Sequence, residues 1–150
     1  MMHLAYCDNV SKEIQKIIDG SKTMVVRGAA ARKFPHSRVF EGETIYFMEK
    51  GTGKITVKAT VDYVENLVKL TEDEINTVFE KHQERLQLTD KQKERWHKKT
   101  LCFVGFKDVE EIEPLEFDKQ GNMDDWLIIE KIEDVVVGTS IPFTYVKLGK

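Results

Sequence analysis

Residues 43–63 constrain the fold more than any other part of the chain. ETIYFMEK (43–50) and KITVKATVDY (54–63) are rich in β-branched and aromatic residues, and they flank Gly51, Thr52 and Gly53. Two such runs around a short glycine-containing turn predict a β-hairpin. In the second run Ile55, Val57, Ala59 and Val61 alternate with Lys54, Thr56, Lys58 and Thr60. Successive strand residues face opposite ways, so this strand has one buried and one wet face.

The flanking sequence supplies more strands and several helices. Residues 3–7 read as a short apolar strand. Asn9 is placed to cap a helix whose stripe is Val10, Ile14, Ile17 and Ile18, with Gly20 at its end. KTMVVRG (22–28) reads as a strand with Met24 and Val26 on one face, Val25 and Arg27 on the other. Residues 29–40 read as a loop or broken strand, because Pro35 limits ladder hydrogen bonds. TEDE (71–74) is a capping box ahead of a helix with Ile75, Val78, Phe79 and Leu86 as its core stripe. TDKQ (89–92) opens a shorter, charged helix ending near Lys99, with Trp96 its one large apolar residue. Residues 100–106, 110–117 and 126–132 read as strands, the last two separated by a turn at Gly121 and Asn122. Residues 138–150 are weakly patterned, a final strand or a loose C-terminal extension. This order predicts an α+β domain spanning residues 1–150, a mixed sheet or small β-barrel with helices packed outside it.

Composition narrows the setting. A chain of 150 residues fits one domain and buries a core without staples. No apolar run approaches the ~20 residues of a membrane helix, and the first nine residues lack the build of a secretory signal. Cys7 and Cys102 sit in separate apolar segments and read as unbridged, buried thiols of a cytoplasmic protein. His3, His36, His82 and His97 share no ligand spacing with them, so neither a metal nor another cofactor is expected. The net charge of −3 argues against a general nucleic-acid binder. It is unevenly spread, however. Residues 1–60 carry ten Lys/Arg and six Asp/Glu, a balance of +4; residues 61–150 carry thirteen and twenty, a balance of −7. From Gly20 to Arg38 there are five cations and no acid, a local basic region that suits a bounded anionic ligand.

Gly20, Ser21, Lys22 and Thr23 are not a phosphate loop. That motif needs glycine directly before the lysine and a strand before the loop; here Ser21 precedes Lys22 and a helix comes first. The same residues fit another pattern. GSKTMVVR (20–27), GETIYF (42–47) and KITVKATV (54–61), preceded by the helix from Val10, together resemble the ASCH domain of the PUA-like superfamily. TLCFVGF and WLIIEKI extend the match towards the C-terminus.

The resemblance implies a PUA-like small barrel with a cleft beside the helix-to-strand turn, in a superfamily associated with RNA, coactivator complexes and modified nucleosides. Lys22 and Arg27 then converge on one anion, arginine by a planar fork and lysine as a point charge. The structural alternative is that Lys22 covers the last carbonyls of its helix while Arg27 pairs with Glu43 or Glu49. Arg32, Lys33, Phe34, His36 and Arg38 mix cations with rings, as does Trp96 among Lys93, Arg95, Lys98 and Lys99. Stacking plus cationic contact is how a single strand or a nucleoside is held. The candidate ligand or RNA site is therefore Lys22, Thr23, Arg27, Arg32, Lys33, His36, Arg38 and Trp96. Some ASCH proteins also resemble amidohydrolases that deacylate acetylated cytidine with a Lys, a Thr three positions on, and a Glu. Lys22 matches, but the threonine position holds Val25, and Glu65, Glu72 and Glu74 are equal candidates for the acid. Hydrolysis of a modified nucleoside or nucleic acid is thus one alternative. A protein-interaction module docking through the acidic second half is another.

Overall fold

The computed structural model describes residues 1–118 and 125–141. Its elements are β1 (Met2–Cys7), α1 (Glu13–Ile18), β2 (Met24–Ala29), β3 (Thr44–Glu49), β4 (Lys54–Leu67), α2 (Glu72–Leu86), α3 (Asp90–Arg95), β5 (Thr100–Glu116), β6 (Trp126–Ile129) and a 3-10 turn (Ile132–Val135). The expected hairpin is β3–β4, with Gly51 and Gly53 at φ 93° and 67° in its turn. Both capping boxes form: the Thr71 and Thr89 side chains accept from Glu74 N–H and Gln92 N–H, and the Glu74 and Gln92 side chains reach back. Such a box stabilises a helix start by about 1 kcal/mol. Among the described residues no helix is long and apolar enough to cross a membrane.

Four expectations are corrected. Asn9 does not cap α1. The Asp8 side chain instead accepts from Val10 N–H and Ser11 Oγ–H and holds a turn, so the helix starts at Glu13 and Val10 is left exposed. The second charged helix stops at Arg95, not near Lys99, and Trp96 is its C-cap. Segments 100–106 and 110–117 are one strand, β5, which bends through register shifts against β4 and a left-handed Asp108 (φ 54°). Pro114 is tolerated because β2 pairs β5 only over residues 100–105, leaving one edge of β5 open there. The strand from Trp126 ends at Ile129 and passes into the 3-10 turn. The turn at Gly121 and Asn122 and residues 142–150 lie outside the described residues.

The six strands form one mixed sheet in the order β2-β5-β4-β3-β1-β6, parallel between β1 and β3 and antiparallel elsewhere. The sheet curls into a half-barrel. Its inner face holds the largest apolar cluster, including Ile17, Val25, Phe47, Val57, Val104, Phe106 and Trp126. The outer face of β2, β4 and β5 is covered by α2, through Met24, Val26, Ile75, Phe79, Leu86 and Phe103. The 3-10 turn covers the outer face of β1, β3 and β6. The end strands β2 and β6 leave a seam. Arg27 crosses it from β2, donating through Nη2 to the Tyr6 carbonyl of β1 at 2.7 Å and lying 5.6 Å from the ring of Trp126 in β6. The expected barrel is therefore closed at this point by a side chain.

Candidate functional site

The seam opens outward as two joined concavities. The inner one, about 30 Å³, has room for about one water and lies between Trp96, Trp126 and Asp125 on one side and Lys33, Phe34 and His36 on the other. The outer one, about 150 Å³, is rimmed by Lys50, Lys91, Arg95, Asp8, Glu13 and Asp125. Arg27, Trp96 and Asp125 belong to both.

Arg27 is the floor. Val25 and Arg27 share the inner face of β2, which puts the guanidinium at the seam. It is only 8% exposed, and its Nη1 and Nη2 donate to the Val26 and Tyr6 carbonyls. Its Nε–H has no hydrogen-bond partner among the described residues. Trp96 and Trp126 lie 5.2 and 5.6 Å from its central carbon, within cation–π range. Gly28 lets the segment after α3 lie this close: a Cβ there would meet Leu101 Cδ2 at 2.8 Å and Lys98 at 3.2 Å. A buried cation with a spare donor between two indoles suits an anionic or polarised planar group.

Asp125 balances the cations. It accepts from Lys50 at 2.6 Å and from Arg95 at 2.5 Å. Burial alone would raise its carboxyl, but Lys50, Arg27 and Arg95 outweigh this and hold it below the ordinary aspartate range. Arg95 also stacks 4.5 Å from Trp96. On the other wall His36 is largely buried. Its Nε2 faces the Leu67 carbonyl at 3.3 Å, which only accepts, so Nε2 carries the proton and Nδ1 accepts from Ser37 Oγ–H at 2.8 Å. Burial and the nearby Arg32 hold this imidazole below its ordinary pKa, against the pull of the carbonyl.

The residues singled out in the sequence divide into three groups. Arg27, Lys33, His36 and Trp96 line the cleft. Arg32 and Arg38 lie on an adjoining shallow concavity that shares Lys33, Phe34 and His36 with it, Arg38 resting 5.9 Å over the Phe34 ring. Lys22 and Thr23 do not line it. Lys22 is 1% exposed, donates to the Leu86 carbonyl at the end of α2 and lies 3.8 Å from Glu13 Oε2. It thus covers a helix terminus, that of α2 and not of α1. Burial, only partly offset by Glu13, pulls its amine down to about 8. The Thr23 hydroxyl accepts from Arg85 Nε at 2.9 Å, beside Asp62, and Val25 is buried in the inner core. Arg27 pairs with neither Glu43 nor Glu49. Sequence reasoning did not single out Trp126, Asp125, Lys50 or Glu13 for the cleft. Trp126 had a signal: it is one of two tryptophans, at the head of an apolar run.

Comparison with known proteins is one-sided. No family model and no curated protein matches the chain. Solved structures do. ASCH from Zymomonas mobilis superposes with a TM-score of 0.62 at 12% identity, over 87% of this chain and 88% of that one. A tyrosine-to-phenylalanine variant of ZmASCH reaches 0.64 at 14% identity, covering 87% and 91%. A serine-to-alanine variant reaches 0.63 at 12%, covering 87% and 89%. Likeness at this identity speaks for the backbone and not for the chemistry of the site. The chain has an ASCH-like α+β fold, a curled half-barrel of six mixed strands with α1 packed on its inner face and α2 on its outer face.

Proposed function

We propose that the seam cleft binds a nucleotide or a short single-stranded stretch of RNA. The observation that carries this reading is Arg27: nine-tenths buried, flanked by Trp96 and Trp126, with its Nε unpartnered. A phosphate or a base carbonyl would satisfy that donor, while a base stacks on an indole. The outer concavity would take the anionic part, because Arg27, Lys50, Lys91 and Arg95 together outnumber Asp8, Glu13 and Asp125 around it. The inner slot is too small for a base as it stands, so the half-buried Trp96 must swing aside on binding. Arg32 and Arg38 would meet a following phosphate beyond Lys33. This small basic face on an otherwise acidic chain favours a few phosphates over a duplex. The hydrolytic alternative has less to stand on, because the Thr23 hydroxyl is engaged by Arg85 and position 25 is an apolar core residue.

The test is a fluorescence-anisotropy titration with fluorescein-labelled hexauridylate at low and at physiological salt. Micromolar affinity is expected, weakening with salt at a slope of roughly 0.7 per phosphate contacted and reporting only a few contacts. Absence of binding at low salt to this probe, to hexaadenylate and to free nucleotides would overturn the reading.

A further inference from the structure

Two polar residues outside the cleft converge on its walls. His3 is fully buried, the Glu43 side chain is 16% exposed, and neither lines either concavity. The Trp126 indole N–H donates to His3 Nδ1 at 3.1 Å. That nitrogen is therefore unprotonated, so the ring proton sits on Nε2, which donates to Glu43 Oε1 at 2.9 Å. The same Oε1 accepts from Phe40 N–H at 2.7 Å. Phe40 closes the loop whose Lys33, Phe34 and His36 form the opposite wall. One carboxylate oxygen thus links the Trp126 wall, through His3, to the end of the loop that carries the other wall.

We propose that His3 and Glu43 are positioning residues of the cleft, holding the Trp126 wall and the loop that carries the 33–36 wall in register, so that a planar ligand enters by displacing Trp96 alone. This rests on the reading above that the cleft binds such a ligand. A purely structural role would need the acceptor only for stability. The positioning role requires that losing it also moves Trp126 and weakens binding, because a site held loosely by its supporting hydrogen bonds loses affinity.

The experiment compares Glu43→Gln with Glu43→Leu. Glutamine keeps one carbonyl oxygen that can accept from both His3 Nε2–H and Phe40 N–H; leucine fills the space without an acceptor. Affinity for labelled hexauridylate is expected to stay within about twofold in E43Q and to fall roughly tenfold in E43L. The 15N-resolved indole resonance of Trp126 should move in free E43L and not in E43Q. In the wild type at neutral pH, nitrogen NMR should find His3 neutral with its proton on Nε2. Unchanged affinity in E43L together with an unmoved Trp126 resonance would overturn the proposal. So would a wild-type His3 protonated at Nδ1, a measurement that decides the matter even if E43L does not fold. If the wild type binds no probe while the tautomer and the Trp126 shift come out as expected, the ligand reading fails and the positioning of Trp126 stands.

Discussion

The two ends of β2 bury two cations in opposite ways. Before its start, Lys22 is enclosed by the termini of α1 and α2: it donates to the Leu86 carbonyl, and Glu13 lies 3.8 Å off. Near its end, Arg27 lines a cleft, spends two of its five N–H donors on two carbonyls and leaves Nε without a partner among the described residues. Burial of a charge is therefore not itself a sign of function. A buried cation whose one nitrogen is engaged by the surrounding backbone supports structure, whereas one that lines a concavity and keeps an unpartnered nitrogen has a donor to offer a ligand.

This contrast can be broken most easily at Lys22. In Lys22→Ala the Glu13 carboxylate loses its buried counter-charge and the Leu86 carbonyl its donor. The denaturant midpoint should fall by the equivalent of about 3 kcal/mol, with hexauridylate affinity little changed in the folded fraction. A loss of affinity without a loss of stability would reverse the assignment. The lowered Lys22 pKa adds a signed check. Between about 8 and 10.5 the unfolded chain keeps a proton that the folded chain releases. Wild-type stability should therefore rise with pH across that window relative to Lys22→Met.

Trp96 sharpens the other side. It is half-buried and stacks near both Arg27 and Arg95, so Trp96→Ala should cost about 1–3 kcal/mol of binding and less in stability. A binding curve matching the wild type would remove stacking from the account. Acid should loosen the walls as well. Burial holds His3 below 6.5 despite Glu43, with the Met1 amine adding a small push the same way. The unfolded chain then takes the proton first, so this contribution is complete above about pH 6.5 and is lost as pH falls towards the folded value. Glu43 acts in the same direction: burial raises its carboxyl, but His3 and Phe40 N–H outweigh that and leave it low. Thermal melts from pH 7.5 to 5 should show falling stability, steeper than in His3→Asn. The smallest effect is expected at Thr23, where Thr23→Val removes an Arg85 contact, costs about 1 kcal/mol of stability and leaves binding unchanged.

What was legible in the sequence was local. The β3–β4 hairpin, both capping boxes and the facing of Met24 and Val26 against Val25 and Arg27 depend on neighbours a few residues apart. The continuity of β5 was not legible, because the bend at Asp108 looks like a turn until its pairing with β4 is known. The site was half legible. Arg27, Lys33 and His36 stood out in an acid-free run, and Trp96 by its basic surroundings. Nothing in that run separates Lys22 from Arg27, since the difference is made by Leu86 and Glu13 on one side and by Trp96 and Trp126 on the other. The link between Trp126 and His3 spans 123 residues, beyond any local pattern. A histidine inside an apolar strand was its one trace.

The central claim is that the Arg27 fork, and not merely positive charge, holds the ligand. Arg27→Lys keeps the charge but has neither the planar face for Trp96 and Trp126 nor a donor fixed where Nε–H sits. Anisotropy titration of this variant with labelled hexauridylate, alongside its denaturation curve, is the most direct test. The account expects affinity to fall at least about tenfold while the protein remains folded and its salt slope stays near that of the wild type. Wild-type affinity in a folded Arg27→Lys protein would contradict it.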